Sequence, residues 1–292
     1  MSIDKLQEKI RKCKNPSVID FGILQEQIPP RILESAGSFL EAYRQFCREL
    51  LEGLKGEIPA VRFSLNALCL YGGEGFSVLS DALRYAGDCG YYVLLDVPGA
   101  LSAGEAESAA NLLFSENYPL CFDGIITTAY IGSDALRPFL PKLKEFDKTL
   151  FAVVRTSNKT APELQDLLTG ARHMHMANAD MINRYTDALL GKYGYSQLAI
   201  MAGASSADSL RSIRAKYKNL FLLLDGYDYP NANAKNCSYA FDKFGHGAAA
   251  CAGASVTAAW QTEEQDSGDY ICAAVAAAQR MKKNLTRYVT IL

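Results

Sequence analysis

The sequence predicts a single closed (β/α)₈ barrel preceded by an N-terminal helix, spanning residues 1–292 as one domain. Three observations carry that expectation. Eight short runs rich in apolar residues recur along the chain, amphipathic helical stretches fall between them, and no linker-like segment interrupts the alternation. Most of the runs are apolar without a period of two, as parallel strands covered on both faces require. Strands separated by helices imply right-handed βαβ crossovers and a parallel sheet.

In order, Met1–Ile10 has a helical pattern, and strands are expected at Ser17–Phe21, Ala60–Ser64, Tyr91–Asp96, Gly124–Thr128, Leu150–Arg155, Gln197–Ala202, Leu220–Leu224 and Ala248–Ala252. Helices are expected at Ile32–Leu54, Gly75–Asp88, Ala103–Ser115, Asp134–Glu145 and Ala207–Lys218. A count of eight favours closure over an open doubly wound sheet. An open sheet binding a nucleotide would be expected to carry Gly-x-Gly-x-x-Gly after its first strand, where Asp20-Phe21-Gly22-Ile23-Leu24 stands instead.

Composition narrows the function classes. The 292 residues are 49% hydrophobic and 21% charged, enough for a large core. A net charge of -2 with dispersed basic residues argues against nucleic acid or anionic membrane as a partner. No apolar run reaches the ~20 residues of a membrane span, and the polar N-terminus is unlike a signal peptide, so a cytoplasmic location is expected. The eight cysteines form no Cys-x-x-Cys pair, and no metal site is expected; Cys69, Cys121 and Cys251 read as small hydrophobes.

Five segments then carry a resemblance. Leu150-Phe151-Ala152-Val153-Val154-Arg155-Thr156-Ser157-Asn158, with Glu163–Leu167 after it, resembles the fifth-strand signature of the orotidine 5′-monophosphate decarboxylases, in the subgroup with Arg-Thr-Ser-Asn. Tyr71-Gly72-Gly73-Glu74-Gly75, Tyr130-Ile131-Gly132-Ser133-Asp134, Met201-Ala202-Gly203-Ala204 and Asp225-Gly226-Tyr227 stand in the same order as in that family. The resemblance covers roughly Ser17 to Trp260. It implies cofactor-free release of carbon dioxide from a pyrimidine nucleotide, in pyrimidine biosynthesis, by a dimer whose sites share residues. It also implies a lysine ending strand two and Asp-x-Lys-x-x-Asp after strand three, whose lysine protonates the carbanion-like carbon.

This chain departs from that pattern at the reacting positions. Arg62 stands where the strand-two lysine is implied, and a guanidinium is not a proton donor near neutrality. Asp96 is kept, but Pro98 replaces the donor lysine and Leu101 the second aspartate. No lysine occurs between Leu65 and Phe139, so an alignment slip does not restore the donor. The implied phosphate loops read Gly226-Tyr227-Asp228-Tyr229-Pro230-Asn231 and Gly253-Ala254-Ser255-Val256-Thr257, with Val256 in place of an arginine. Asp228 would repel a dianion, although backbone amides near Gly253–Thr257 remain able to hold an anion. Asp20 stands near the family's first-strand aspartate without its surrounding motif, and Thr127-Thr128-Ala129-Tyr130 replaces Asn-Pro-Tyr.

The candidate site residues are therefore Asp96 and Arg62 for chemistry, and Ser157, Thr156, Arg155, Gly203, Gly226, Tyr227, Gly253 and Ser255 for ligand binding. Each has a plainer reading. Arg62 either binds an anion or pairs with Asp96, Arg155 braces its loop sooner than it touches ligand, and Ser157 either meets a pyrimidine edge or caps the turn near Pro162. His173 and His175 read as a surface loop before a helix, His246 as a turn residue, Tyr227–Tyr239 as a lid-like loop, and Trp260 as a rim or subunit contact. The leading expectation is a decarboxylase-like pseudoenzyme binding a nucleotide or another small anion, or regulating a partner, as a homodimer or paired with a genuine decarboxylase. The alternatives are a divergent active decarboxylase, a different reaction using Asp96 as base and Arg62 as oxyanion stabiliser, and a scaffold without a small-molecule ligand.

Overall fold

A computed structural model of the chain describes residues 1–262 and 269–292. Eight parallel strands close into a barrel: β1 (Ser17–Asp20), β2 (Ala60–Ser64), β3 (Tyr92–Asp96), β4 (Gly124–Thr128), β5 (Thr149–Val153), β6 (Leu198–Gly203), β7 (Leu222–Asp225) and β8 (Ala248–Ala252). Neighbours in sequence are neighbours in space, and β1 pairs with β8 to complete the ring. The sequence placed every strand to within two residues, because burial on both faces leaves uninterrupted apolar runs. β8 is the extreme case, Ala-Ala-Ala-Cys-Ala, with all five residues buried.

The N-terminal helix α1 (Ser2–Cys13) lies under the N-terminal end of the barrel. Its first residue ties it there: Ser2 N–H donates to Asp147 Oδ1 at 2.6 Å, and Ser2 Oγ donates to the Asp123 carbonyl at 2.9 Å. The stretch read as one helix, Ile32–Leu54, is two, α2 (Pro30–Ala36) and α3 (Phe39–Gly53). Gly37 at φ 73° ends the first in the left-handed region, and Ser38 Oγ restarts the chain by accepting from Glu41 N–H at 3.2 Å. A five-residue helix α4 (Leu65–Cys69) and then α5 (Gly72–Asp88) follow β2. After β3 comes α6 (Ala103–Leu113), begun by Ser102, whose Oγ accepts from Glu105 N–H. Pro138 reduces the helix expected over Asp134–Glu145 to a 3₁₀ turn and α7 (Phe139–Glu145). A two-residue hairpin at Leu168–Thr169 and Arg172–His173 precedes α8 (Met174–Asn183). The remaining helices are α9 (Ala207–Lys216), α10 (Ala234–Ser238), α11 (Ala254–Thr257) and α12 (Tyr270–Thr286). Among the described residues no helix is long and apolar enough to cross a membrane.

Some side-chain expectations change in three dimensions. Cys251 is buried, but Cys121 is exposed, because it sits in the loop that leads into β4 rather than in a strand. His175 is not in a surface loop. It is 2% exposed in the first turn of α8, while His173 is exposed and stacks on it with ring centroids 5.4 Å apart. His246 does occupy a turn, between Gly245 and Gly247, both at positive φ. Trp260 packs at the rim, its indole N–H donating to the Gln27 carbonyl at 3.1 Å.

One buried cation holds the lower wall together. The Arg214 guanidinium, on α9, donates to the carbonyls of Ala240, Tyr217, Lys218, Leu220 and Gly247 at 2.6–3.3 Å. Burial pulls its pKa below the usual arginine value. Arg214→Met removes the donor these buried carbonyls share, although Gly247 keeps the Leu222 N–H, so unfolding stability falls by about 3 kcal/mol, checked by the urea midpoint of the variant.

Candidate functional site

In a barrel of this type the C-terminal ends of the strands form the mouth, and the last residue of a strand projects toward it. Here β1, β3 and β7 all end in aspartate: Asp20, Asp96 and Asp225. Arg62 on β2 stands in register with Asp20, and its guanidinium reaches all three. One terminal nitrogen donates to Asp225 Oδ1 at 2.7 Å and lies 3.6 Å from Asp20 Oδ2; the other donates to Asp96 Oδ2 at 2.5 Å. The Arg62 side chain is 11% exposed. Burial opposes its charge, but the surrounding carboxylates, Asp20 first among them, hold its pKa well above the ordinary value. Burial conversely raises the pKa of Asp20, with Arg62 and the Gly22 N–H acting against it.

The geometry shows the ion-pair arrangement, with Arg62 Nε buried and without a hydrogen-bond partner. Arg62 pairs with Asp96 and with two further carboxylates, and its fork has no terminal nitrogen left over for an incoming oxyanion. The partners Asp20 and Asp225 were not both foreseen. Asp225 was read only as part of a motif, although an acidic residue ending a barrel strand was a usable signal for a mouth position.

A cleft of about 320 Å³ opens beside this cluster, lined among others by Asp20, Arg62, Asp225, Asp228, Tyr229 and Gly253. Arg62 is the only cationic residue lining it among the described residues. Among the described residues Asp96 has an ion pair with Arg62 and none with a lysine, and the loop that follows it contributes Val97, Pro98 and Gly99 to a hollow of about 260 Å³ shared with Leu65, Thr127 and Phe139. Pro98 contributes a carbonyl there, which accepts from Thr127 Oγ1 at 3.4 Å. A Cβ at Gly99 would stand 2.1 Å from the Thr128 methyl, so the loop is pressed onto β4 and has no room for a longer residue at that point.

The expected phosphate loops adopt a self-contained arrangement. Asp228 folds over the start of α11, and its Oδ2 accepts from Gly253 N–H at 2.8 Å and from Ser255 N–H at 3.3 Å. Its Oδ1 accepts from the Ser255 hydroxyl. The groups that Gly253 and Ser255 present are thus engaged by the chain's own carboxylate. Gly226 takes φ 75°, and Tyr227 N–H donates to the Cys251 carbonyl at 3.0 Å. The Tyr227–Tyr239 run, read as lid-like, is pinned by Asp228 and by α10, which Asn233 caps by accepting from Asn236 N–H at 2.9 Å.

The loop after β5 is braced rather than open. Arg155 makes a two-pronged pair with Asp166, at 2.9 and 2.8 Å, which agrees with its plainer reading. Thr156 is engaged by Gln165, whose Oε1 accepts its N–H at 2.7 Å. Ser157 does not cap the turn at Ala161–Glu163; its hydroxyl donates to the Asp225 carbonyl at 2.6 Å, bridging the ends of β5 and β7. Gly203 is required by close approach, since a Cβ would lie 2.6 Å from the Thr156 carbonyl oxygen. Ser157, Gly203 and Gly226 therefore converge on one wall of the mouth, while Arg155 lies behind it.

Comparison with known proteins follows the same line. No family model matches the chain. It is a homologue of proteins named orotidine 5′-phosphate decarboxylase: it is 24% identical over 287 residues to that of Clostridium novyi, covering 98% of both chains, and 26% identical over 272 residues to that of Clostridium kluyveri, covering 92% of both. The solved orotidine 5′-monophosphate decarboxylase of Plasmodium berghei has the same fold, with a TM-score of 0.78 at 13% identity, covering 98% of this chain and 97% of that one. The Leishmania donovani enzyme gives 0.72 at 20% identity, covering 98% of each.

The charge balance at the mouth has measurable consequences. Arg62→Met leaves three carboxylates facing one another, and stability at pH 7 falls by about 3 kcal/mol. Without the cation that opposes the rise at Asp20, ionised Asp20 is less favoured still, so the deficit shrinks as pH is lowered toward the ordinary carboxylate range near 4. Asp20 behaves oppositely. Its folded pKa is already raised, so its ionisation costs stability above the unfolded value, and Asp20→Asn does not lower the urea midpoint at pH 7. Urea midpoints measured from pH 4 to 8 for both variants check these signs.

Proposed function

We propose that this homologue of the orotidine 5′-phosphate decarboxylases has lost decarboxylation and acts as a regulatory or assembly partner rather than as a catalyst. The observation that carries the reading is the neighbourhood of Asp96. Its cationic partner is a guanidinium shared with Asp20 and Asp225, and the next loop supplies proline and apolar side chains instead of an amine. A carbanion formed in this cleft would have no ammonium to protonate it. Arg62 is equally unsuited to stabilise an oxyanion, since its terminal nitrogens already serve carboxylates.

The ligand preference changes with the chemistry. A phosphate monoester would meet Asp228 where the relatives' substrate needs positive charge, and two further carboxylates, Asp20 and Asp225, line the same cleft. A nucleotide is therefore a poor occupant while Asp228 stays seated. A neutral ligand carrying hydroxyl groups suits the remaining acceptors better.

The partner in this reading is a second copy of the chain. Leu70 and Leu101 are 87% and 83% exposed, and Tyr130 and Ile131 are exposed as well. They sit in the loops after β2, β3 and β4, which are adjacent in the barrel, so they form one apolar rim. Exposed leucines at that density on one edge are characteristic of a covered surface. A genuine decarboxylase with a similar rim could take the second copy's place, which would give the chain a regulatory role.

Purified protein incubated with orotidine 5′-monophosphate is expected to release no carbon dioxide above background. Turnover at the rate of an ordinary enzyme, about 1 per second or more, would overturn the reading. Sedimentation is expected to give a dimer, which Leu101→Asp converts to monomer without lowering helix content. A wild-type chain that stays monomeric at micromolar concentration would remove the proposed interface.

A further inference from the structure

A larger cavity, of about 550 Å³, opens at the other end of the barrel wall, where β3, β4 and β5 begin. It lies within the roughly 300–1,000 Å³ typical of small-molecule sites. Its walls are aromatic. Phe114 meets Phe122 and Phe146 edge to face, with centroids 6.0 and 6.1 Å apart, and Tyr118 lines the same space. Charged groups of both signs stand among these rings. Lys148, just before β5, donates from its ammonium to the Phe122 carbonyl and lies 5.3 Å from the Phe122 ring centre. Asp123, just before β4, spends Oδ2 on the Val93 N–H at 2.9 Å, and Glu116 is exposed at the margin.

Among the described residues no ion pair joins Lys148 to Asp123 or Glu116, so the opposite charges are presented separately instead of cancelling. Burial lowers the pKa of Lys148, with Asp123 opposing the shift. An arriving carboxylate would therefore relieve an electrostatic cost already present in the empty cavity. A lone anion gains Lys148 but is opposed by Asp123 and Glu116. A lone cation gains the carboxylates but is opposed by Lys148. Only a molecule bearing both charges close together satisfies all three groups, and the walls add a preference for a ring.

We propose that this cavity binds a small aromatic zwitterion, an α-amino acid with a ring side chain. Its carboxylate meets Lys148, its ammonium meets Asp123 and Glu116, and its ring packs among Phe114, Phe122 and Tyr118. None of these residues lines the mouth cleft, so the site stands whether or not the mouth retains any chemistry.

Isothermal titration of the full chain with L-phenylalanine and L-tryptophan tests this, with phenylacetate and phenethylamine as single-charge probes. Saturable binding of at least one amino acid is expected, with each single-charge probe weaker by about tenfold or more, or about 1.4 kcal/mol. Lys148→Met and Asp123→Asn should each weaken the amino acid by a similar factor; asparagine keeps an acceptor for Val93. Should Lys148→Met fail to fold, Glu116→Gln at the exposed margin takes its place, with a smaller loss. The absence of saturable binding of both amino acids at about 5 mM, the weak end of specific affinity, would overturn the proposal. So would equal binding of phenylacetate, or unchanged affinity in the folded variants.

Discussion

The mouth of this barrel is organised by one guanidinium. Arg62 joins the ends of β1, β3 and β7 to β2 through Asp20, Asp96 and Asp225. A single positive charge facing three carboxylates has little field left to offer a ligand. Removing it would expose those carboxylates to one another in a largely desolvated place, which makes the pair network costly to dismantle. The positive charge at the end of β2 is thus carried by a planar, permanently charged group that braces three neighbouring strand ends.

The fold was readable because parallel strands covered on both faces leave an unmistakable record, and all eight were found within two residues of their places. Helix boundaries were less legible. Gly37 and Pro138 each break a stretch whose apolar spacing runs straight through, since periodicity reports which face is buried and not whether the backbone continues. The aromatic cavity left no pattern, because its rings come from the segment after α6, the loop before β4 and the end of α7.

The site's departures from the resemblance were legible; its contacts were not. Pro98, Leu101 and Val256 could be read directly as side chains unable to perform the roles that the resemblance implied. What replaced those roles depended on contacts between residues far apart in the chain. Ser157 and Asp225 are 68 positions apart, and Arg62 and Asp225 are 163 apart. Asp228 illustrates the difference. As a letter in a loop it signified repulsion of a dianion, whereas in space it is itself the anion that completes the loop.

That carboxylate has a further consequence. Because Asp228 is carried on the same chain as Gly253 and Ser255, it acts as a tethered competitor, present at an effective concentration of the order of millimolar or above. Any external anion would have to displace it to reach the Gly253 and Ser255 N–H groups, and its apparent affinity for them would be reduced accordingly. The start of α11 therefore comes with its own internal counter-charge.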